Sequence, residues 1–461
     1  MTTFTRRDAW TLSKTTVWPA ALEWYAKAVR TLQTRPLSDS RGWQYQAAIH
    51  GLANTPPPPG APWNECQHAT WYFLPWHRMY LYQFERIVRK AVIDQGGPTD
   101  WALPYWNYEG SSPSNQIPPA FRQNTLPDGS ANPLLVLQRR AGINTGLGMP
   151  PQVTSSVAAA NTHFFTTPSS GAPVGFGGPR TGFAHFGPAF GAVENQPHNI
   201  VHVVVGGAGG LMTDPDTAAL DPIFWLHHAN IDRLWETWTL ENDANPTTLS
   251  WSQRGFRLRD DNGQLITMRV GDVTDATALE YTYDSLPLVA SAPERRGTVP
   301  PRSRPKTVAT STKTMRVARE GASMALKVGP MPAPGAGASR GRGRRFHLKL
   351  SDIEGRANPG VVYGVYVHRP SGPGATPATE HRVGLVSFFG IEHSTSEGSD
   401  NPQPLTYTFD ITDVISQLSA HGDINDLVVT LRPIEGMVED LGAAASVPPP
   451  VRIGTVAILT S

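Results

Sequence analysis

His50, His68 and His77 form one triplet of histidines in the first half of the chain, and His198, His202 and His228 form a second. Six neutral imidazoles, with no carboxylate or thiolate ligand in the pattern, suit a pair of borderline transition-metal ions. Zinc, copper, iron and nickel all accept such ligands, and three imidazoles per ion with an open position also describe a hydrolytic dizinc centre. Two-metal hydrolytic sites commonly add a bridging carboxylate, and none is evident in these segments.

The spacing restricts the elements that can present these rings. His198 and His202 lie in a run with Val201, Val203, Val204 and Val205 that reads as a strand. As a strand it would hold the two side chains roughly 13 Å apart. In a helix, residues four apart stand about 6 Å from each other and can share one ion. The ligand reading therefore requires a helix, starting after Asn195 and Pro197 and stopping at Gly206-Gly207. A second helix is expected from Pro75 to Val92, with His77, Leu81, Phe84 and Val88 on one stripe and Arg78, Glu85, Arg86 and Arg89 at polar positions. A continuous helix through His68 and His77 would point the two rings in opposite directions, so His68 must lie on a segment before Pro75 that folds back over the helix start. A third helix runs from about Pro222 to Leu240 and carries His227, His228, Asp232 and Trp235. Adjacent helical residues diverge by about 100°, so one ring of the His227-His228 pair faces inward, and geometry leaves the two nearly tied. Asp232, one turn beyond His228, is placed to accept that ring's second proton. Val17 to Gln33 supplies a fourth, scaffolding helix through Trp18, Leu22, Tyr25, Val29 and Leu32.

The remainder of the chain frames this centre. Its 461 residues allow two or three domains. A net charge of +1 with 17% charged residues points away from a nucleic acid or a membrane surface and toward a small-molecule partner. One cysteine, Cys66, excludes an intrachain disulfide. Arg6-Arg7 is not followed by an apolar export region, because Ser13, Lys14 and Thr15 interrupt it, which gives a cytoplasmic expectation. No run reaches the ~18 apolar residues of a membrane span. Residues 108–190 are rich in Pro, Gly, Ser and Asn and read as long loops over the helices, where His163 and His185 lack any ligand spacing. Arg295, Arg296, Arg302, Arg304 and Lys306 and then the Pro330–Gly343 tract read as a solvated linker. β-Branched segments follow at Phe346–Leu350, Val361–Val367, Val383–Phe389, Leu405–Ile411 and Leu427–Leu431, the pattern of a β-sandwich. His368, His381, His393 and His421 fall in its turns or strand ends and read as surface residues.

Cys66-Gln67-His68 through F-L-P-W-H-R-M-Y-L-Y-Q-F-E (73–85) and D-P-I-F-W-L-H-H-A-N-I-D-R-L-W (221–235) closely resemble the two copper signatures of the tyrosinase, polyphenol oxidase and haemocyanin family. Y-Q-A-A-I-H (45–50) and E-N-Q-P-H-N-I-V-H (194–202) are similar to the remaining ligand segments, so the resemblance covers most of residues 10–245. It implies two copper ions, one on His50, His68 and His77 and the other on His198, His202 and His228, the second histidine of the H-H pair being the ligand. It also implies a thioether between Cys66 and His68, and a water held by Glu194 and Asn199 that takes the proton from a phenol. The implied fold is an α core, a four-helix bundle holding the dicopper site among long loops, with an all-β sandwich-like C-terminal domain. Residues 1–290 would form the first, 291–345 a linker able to contribute a first tail strand, and 346–461 the second. A weaker similarity of Phe346–Val367 and 407–433 to the plant enzymes' tail implies a domain that covers the copper site, with proteolysis in the linker releasing activity.

The implied chemistry is ortho-hydroxylation of monophenols and oxidation of o-diphenols to o-quinones, with O2 and phenolic small molecules as partners. A haemocyanin-like O2 carrier would share the ligands, but carriers are large repeated assemblies and this chain holds one copper module. An o-aminophenol oxidase differs only in substrate. Leu211 to Leu220 contains no aromatic residue, unlike the stretch that shields copper in many plant enzymes, which predicts a less gated site.

Overall fold

A computed structural model describes residues 3–53, 55–110, 112–167, 174–241, 244–286, 305–330, 344–370, 379–395, 402–436 and 448–460. Helices α1 (Ala20–Gln33), α2 (Trp43–His50), α3 (Phe73–Asp94), α4 (Ile200–Gly206) and α5 (Ile223–Leu240) build the N-terminal domain. The face of α1 buries Leu22, Tyr25, Ala26, Val29 and Leu32. Helix α3 begins just ahead of Pro75, which sits in the first turn where its missing N–H costs nothing. Helix α4 ends at Gly207, whose φ of 69° is one that a side chain would resist. Asp221 anchors the start of α5, accepting from the Ile223 amide at 3.1 Å and pairing with the buried Arg139 at 2.7 Å.

Two of the polar positions of α3 do not face solvent. Arg78 and Glu85 are buried, because they enter an internal ion network rather than solvent. Strand β1 (Phe4–Arg6) pairs in parallel with β4 (Tyr281–Tyr283) and carries Arg6 inward. There Arg6 meets Glu85 at 2.6 Å and Asp232 at 3.1 Å. Arg78 meets Asp232 at 2.5 Å and Glu236 at 3.0 Å. Buried charges persist only when paired in this way. A small hairpin, β2 (Gly255–Arg259) with β3 (Leu265–Arg269), completes the domain, and residues 108–190 wrap the helices as irregular segments with short helical turns.

The C-terminal domain is a two-sheet sandwich. Its strands are β5 (Lys306–Thr310), β6 (Met315–Val317), β7 (Ala322–Lys327), β8 (Phe346–Glu354), β9 (Tyr363–His368), β10 (His381–Val386), β11 (Leu405–Asp410), β12 (Asp426–Pro433) and β13 (Val451–Thr460), with helix α6 (Thr412–Ser419) before β12. One sheet runs β10-β9-β12-β7 and the other β11-β8-β13-β5, with β6 also paired to β13. Strands β5 to β7 lie within the stretch read as linker, so the sandwich begins near residue 306 rather than 346. These strands are short and lightly buried: Ala309 is the one buried residue of β5 and Leu326 of β7, while Met315 and Val317 flank an exposed Arg316 in β6. Arg295, Arg296, Arg302, Arg304 and residues 331–343 lie outside the described residues. The two hydrophobic cores interlock. Val362, Leu385, Phe389 and Ile434 of the tail join the helical core, while Ala69, Phe186 and Phe190 of the N-terminal domain join the sandwich core.

Candidate metal centre

His50 is the last residue of α2, His68 lies on the segment before α3, His77 is in α3, His198 lies on the turn leading into α4, His202 is in α4 and His228 is in α5. All six are buried. The first triplet has ring centroids 5.0 Å (His50–His68), 5.5 Å (His50–His77) and 5.2 Å (His68–His77) apart. The second has 4.5 Å (His198–His202), 4.8 Å (His198–His228) and 5.4 Å (His202–His228). The triplets abut, with His77 stacked on His228 at 4.4 Å and His68 on His198 at 5.9 Å. Phe73 at 4.6 Å from His77 and Phe224 at 4.2 Å from His228 wall the cluster and exclude water.

The outer ring nitrogens fix the tautomers. His50 Nδ1 donates to the Pro215 carbonyl at 2.8 Å, His77 Nδ1 to the Phe73 carbonyl at 2.8 Å, and His202 Nδ1 to the Met212 carbonyl at 2.7 Å. His198 Nδ1 donates to Asn199 Oδ1 at 2.7 Å. Each bond leaves a lone pair on Nε2, the arrangement that second partners impose on metal-bound imidazole. Nε2 of His50, His68 and His77 is buried without a hydrogen-bond partner. Nε2 of His198 and of His202 each stands 3.3 Å from His228 Nε2. Lone pairs aimed at one another repel unless a cation sits between them, and roughly 3.4 Å is the separation of two nitrogens on one tetrahedral ion. Burial pushes all six imidazoles below their ordinary pKa, with neighbouring rings adding to the shift in five of them, and His77 falls to about 3. They are therefore neutral at neutral pH, each able to offer a lone pair to a cation.

Several expected roles change. Asp232 makes no bond to His228: its carboxylate accepts from Arg78, Arg6, Tyr281 at 2.6 Å and Tyr283 at 2.5 Å. Burial alone would raise its pKa, but Arg78 and Arg6 outweigh it and hold the carboxyl below the usual range. The helical register turns Asp232 toward α3 and β4, and His228 Nδ1 is left buried without a partner. His227 also lies against the second triplet, with its ring 5.2 Å from His198 and 4.8 Å from His202, so distance alone does not separate the pair. Glu194 is buried on the turn before α4, where Oε1 accepts from the Ala69 amide at 2.8 Å while Oε2 has no partner. Burial raises its pKa well above the carboxylate range, and the Ala69 amide opposes that shift. Asn199 Nδ2 is likewise buried without a partner. Cys66 Sγ lies 3.2 Å from His68 Nδ1, and burial raises its thiol pKa.

Sequence spacing gave no sign of Phe389. The tail domain presents it from a turn after β10, with its ring 4.5 Å from His202, 5.6 Å from His68 and 5.7 Å from His198. Phe388 (φ 54°) and Gly390 (φ 68°) flank it in left-handed conformation and force the turn to project the ring. The centre is thus covered by an aromatic group from the other domain, and this cover comes from the tail rather than from the Leu211–Leu220 stretch, which has no aromatic residue. His393, read as a surface residue, is buried at the same domain boundary, and His185, without ligand spacing, lies beside Cys66 at 3.3 Å.

Residues 40–241 match the common central domain of tyrosinase, and residues 304–460 match a domain family of unknown function. The chain is 38% identical over 435 residues to tyrosinase HcTyr1 of Hahella sp. (strain CCB-MM4), covering 87% of this chain and 90% of that protein. It is 29% identical over 457 residues to a chloroplastic polyphenol oxidase of Malus domestica, covering 90% of this chain and 73% of that one. The solved structure of latent apple tyrosinase superposes with a TM-score of 0.60 at 22% identity, over 100% of this chain and 98% of the other, a likeness of fold.

Proposed function

The chain belongs to the tyrosinase and polyphenol oxidase family of copper-dependent phenol oxidases, and from that premise we propose that it ortho-hydroxylates monophenols and oxidises o-diphenols to o-quinones with O2 from a latent state. The carrying observation is the convergence of six buried imidazoles, four of which bond their Nδ1 outward, while Nε2 of His198 and His202 face Nε2 of His228. His50, His68 and His77 hold one copper, and His198, His202 and His228 the other. The copper pair, when bound, supplies the redox chemistry with O2.

The chain's own groups manage the substrate and its proton. A phenol has a pKa near 10, so it needs a base as it enters. Glu194 Oε2, buried without a hydrogen-bond partner, is the proton acceptor through a water that Asn199 Nδ2 orients. Asn199 Oδ1 meanwhile holds the tautomer of His198. Phe73 and Phe224 exclude bulk water from the rings. Phe389 occupies the position over His202 that an aromatic substrate needs, which keeps the full chain latent until the tail moves or the linker is cut. Cys66 and His68 form a thioether by losing two hydrogens, with O2 as oxidant. Intact mass would fall by those two hydrogens on copper loading.

Copper-loaded chain incubated with tyrosine, catechol and o-aminophenol, before and after limited proteolysis, tests the reading. Oxidation of tyrosine and catechol after cleavage supports it. Reversible O2 binding with no substrate consumed, even after cleavage, refutes it and leaves an O2 carrier.

A further inference from the structure

A second cluster of metal-binding groups lies at the domain boundary, outside the six histidines. His185 comes from the loops of the N-terminal domain, Asp216 from the helical turn Pro215–Ala218, and His393 from the turn Ile391–Ser394 of the tail. One donor atom of each lies within 4.8 Å of the others. His393 Nε2 stands 3.8 Å from Asp216 Oδ1. The two imidazoles are 5.3 Å apart and nearly perpendicular, at 87°, so their nitrogens approach one point from different directions. His185 Nδ1 donates to the Cys66 carbonyl at 2.9 Å, which puts the lone pair on Nε2. His393 stacks on Phe186 at 5.2 Å, which fixes its ring. The Asp216 amide donates to Asp214 Oδ1 at 2.9 Å, which fixes the turn.

We propose that His185, Asp216 and His393 form a third metal site, for a divalent borderline ion such as Zn2+, that ties the tail domain to the N-terminal domain. Two imidazoles and one carboxylate with an open fourth position are a zinc ligand set. Bonds of roughly 2.1 Å hold tetrahedral donors about 3.4 Å apart, so side-chain adjustments of about an ångström close the site. The aspartate is partly exposed, which leaves the ion a way in, and its charge offsets part of the ion's.

The site is wired to both the centre and its cover. The Pro215 carbonyl, adjacent to Asp216, accepts from His50. Cys66, against His185, lies beside His68. His393 lies four residues beyond Phe389, and its amide donates to the carbonyl of Gly390, the residue after Phe389, at 3.1 Å. An ion here therefore pins the Phe389 turn in place, a consequence that rests on the latency reading, whereas ion binding itself does not.

The test uses full-length chain carrying its two coppers, titrated with Zn2+ and followed by equilibrium dialysis, elemental analysis and X-ray absorption at the zinc edge. One zinc per chain, with nitrogen and carboxylate ligands and copper retained, is expected. His393→Gln and Asp216→Asn should each weaken zinc binding at least tenfold, the lower end of what losing even a partner behind a ligand costs. Zinc that fails to bind beyond the copper pair, displaces copper, or binds both variants as tightly as the parent overturns the site. Slower protease activation of the zinc-bound chain is the expected consequence. Zinc retained without that slowing leaves the site standing and refutes its role as a clamp.

Discussion

The ring of Phe389 lies 4.5 Å from the ring of His202, tilted by 33°. The tail domain thus closes the centre with the same kind of group that a phenolic substrate brings. The turn that holds Phe389 is tightly fitted on both sides. A Cβ built on Gly390 would stand 2.2 Å from the Phe186 ring, and Phe186 in turn lies against His68.

Gly390→Ala must therefore shift either the turn or Phe186, at a φ that alanine resists. We expect it to weaken tail docking by roughly 1–3 kcal/mol and to raise the basal oxidation rate of the uncut chain. Thermal unfolding and catechol oxidation measured together check this: a more stable or unchanged resting enzyme would count against the packing described.

His227 and His228 both lie against the second triplet, but His228 Nε2 alone stands at 3.3 Å from both His198 Nε2 and His202 Nε2. His228→Asn should reduce copper from two per chain to about one, whereas His227→Asn should retain both. Elemental analysis of the purified variants decides between them, and the reverse pattern would move the ligand to His227.

Protons compete with folding at these buried imidazoles. His77 has a folded pKa of about 3 against an ordinary 6.5. Its folded pKa is lowered, so the unfolded chain binds the proton first as pH falls, and stability is lost from about pH 6.5 downward until the folded pKa is reached. At pH 5 His77 alone costs about 2 kcal/mol relative to neutral pH. Urea unfolding of copper-free protein at pH 7 and pH 5 should show a marked drop, and equal stability at both would contradict the neutral, buried state assigned to the rings.

Asp232 belongs to the ion network, not to the copper ligands. Asp232→Asn leaves Arg6 and Arg78 short of a buried counter-charge and should destabilise the fold by about 3–5 kcal/mol. The copper stoichiometry of the folded fraction should stay at two. Loss of copper with little loss of stability would instead favour a link from Asp232 to His228.

What the sequence made legible follows from periodicity. His198 and His202 had to lie on one helical path because only that spacing lets two rings share an ion, and the helical turn that carries His198 runs straight into α4, which carries His202 despite its valines. Pro75 told where α3 begins and why His68 lies off it. Asp232 was misread because spacing gives the distance along a helix but not which neighbour the side chain meets. Arg6, more than two hundred residues away in the chain, takes it instead. Strands β5 to β7 were missed because they are only three to six residues long and lie in a stretch whose flanking Arg, Pro and Gly residues read as linker. Strand β13 was missed too, although Pro448 to Pro450 bound a β-branched run that could have marked it. Phe389 was not legible at all. Nothing local distinguishes it from Phe388, which is buried in the sandwich, and only the packing of two domains gives it a role.

The central claim, that this is a phenol oxidase kept latent by an aromatic cover, is tested most directly by the catechol oxidation rate of uncut, copper-loaded Phe389→Ala beside the parent chain. Removing the ring forfeits well over the ~1.4 kcal/mol that corresponds to tenfold in an equilibrium. The account predicts a rise of at least about tenfold without proteolysis. A Phe389→Ala chain with two coppers that stays as inactive as the parent, while cleavage activates both equally, would contradict it.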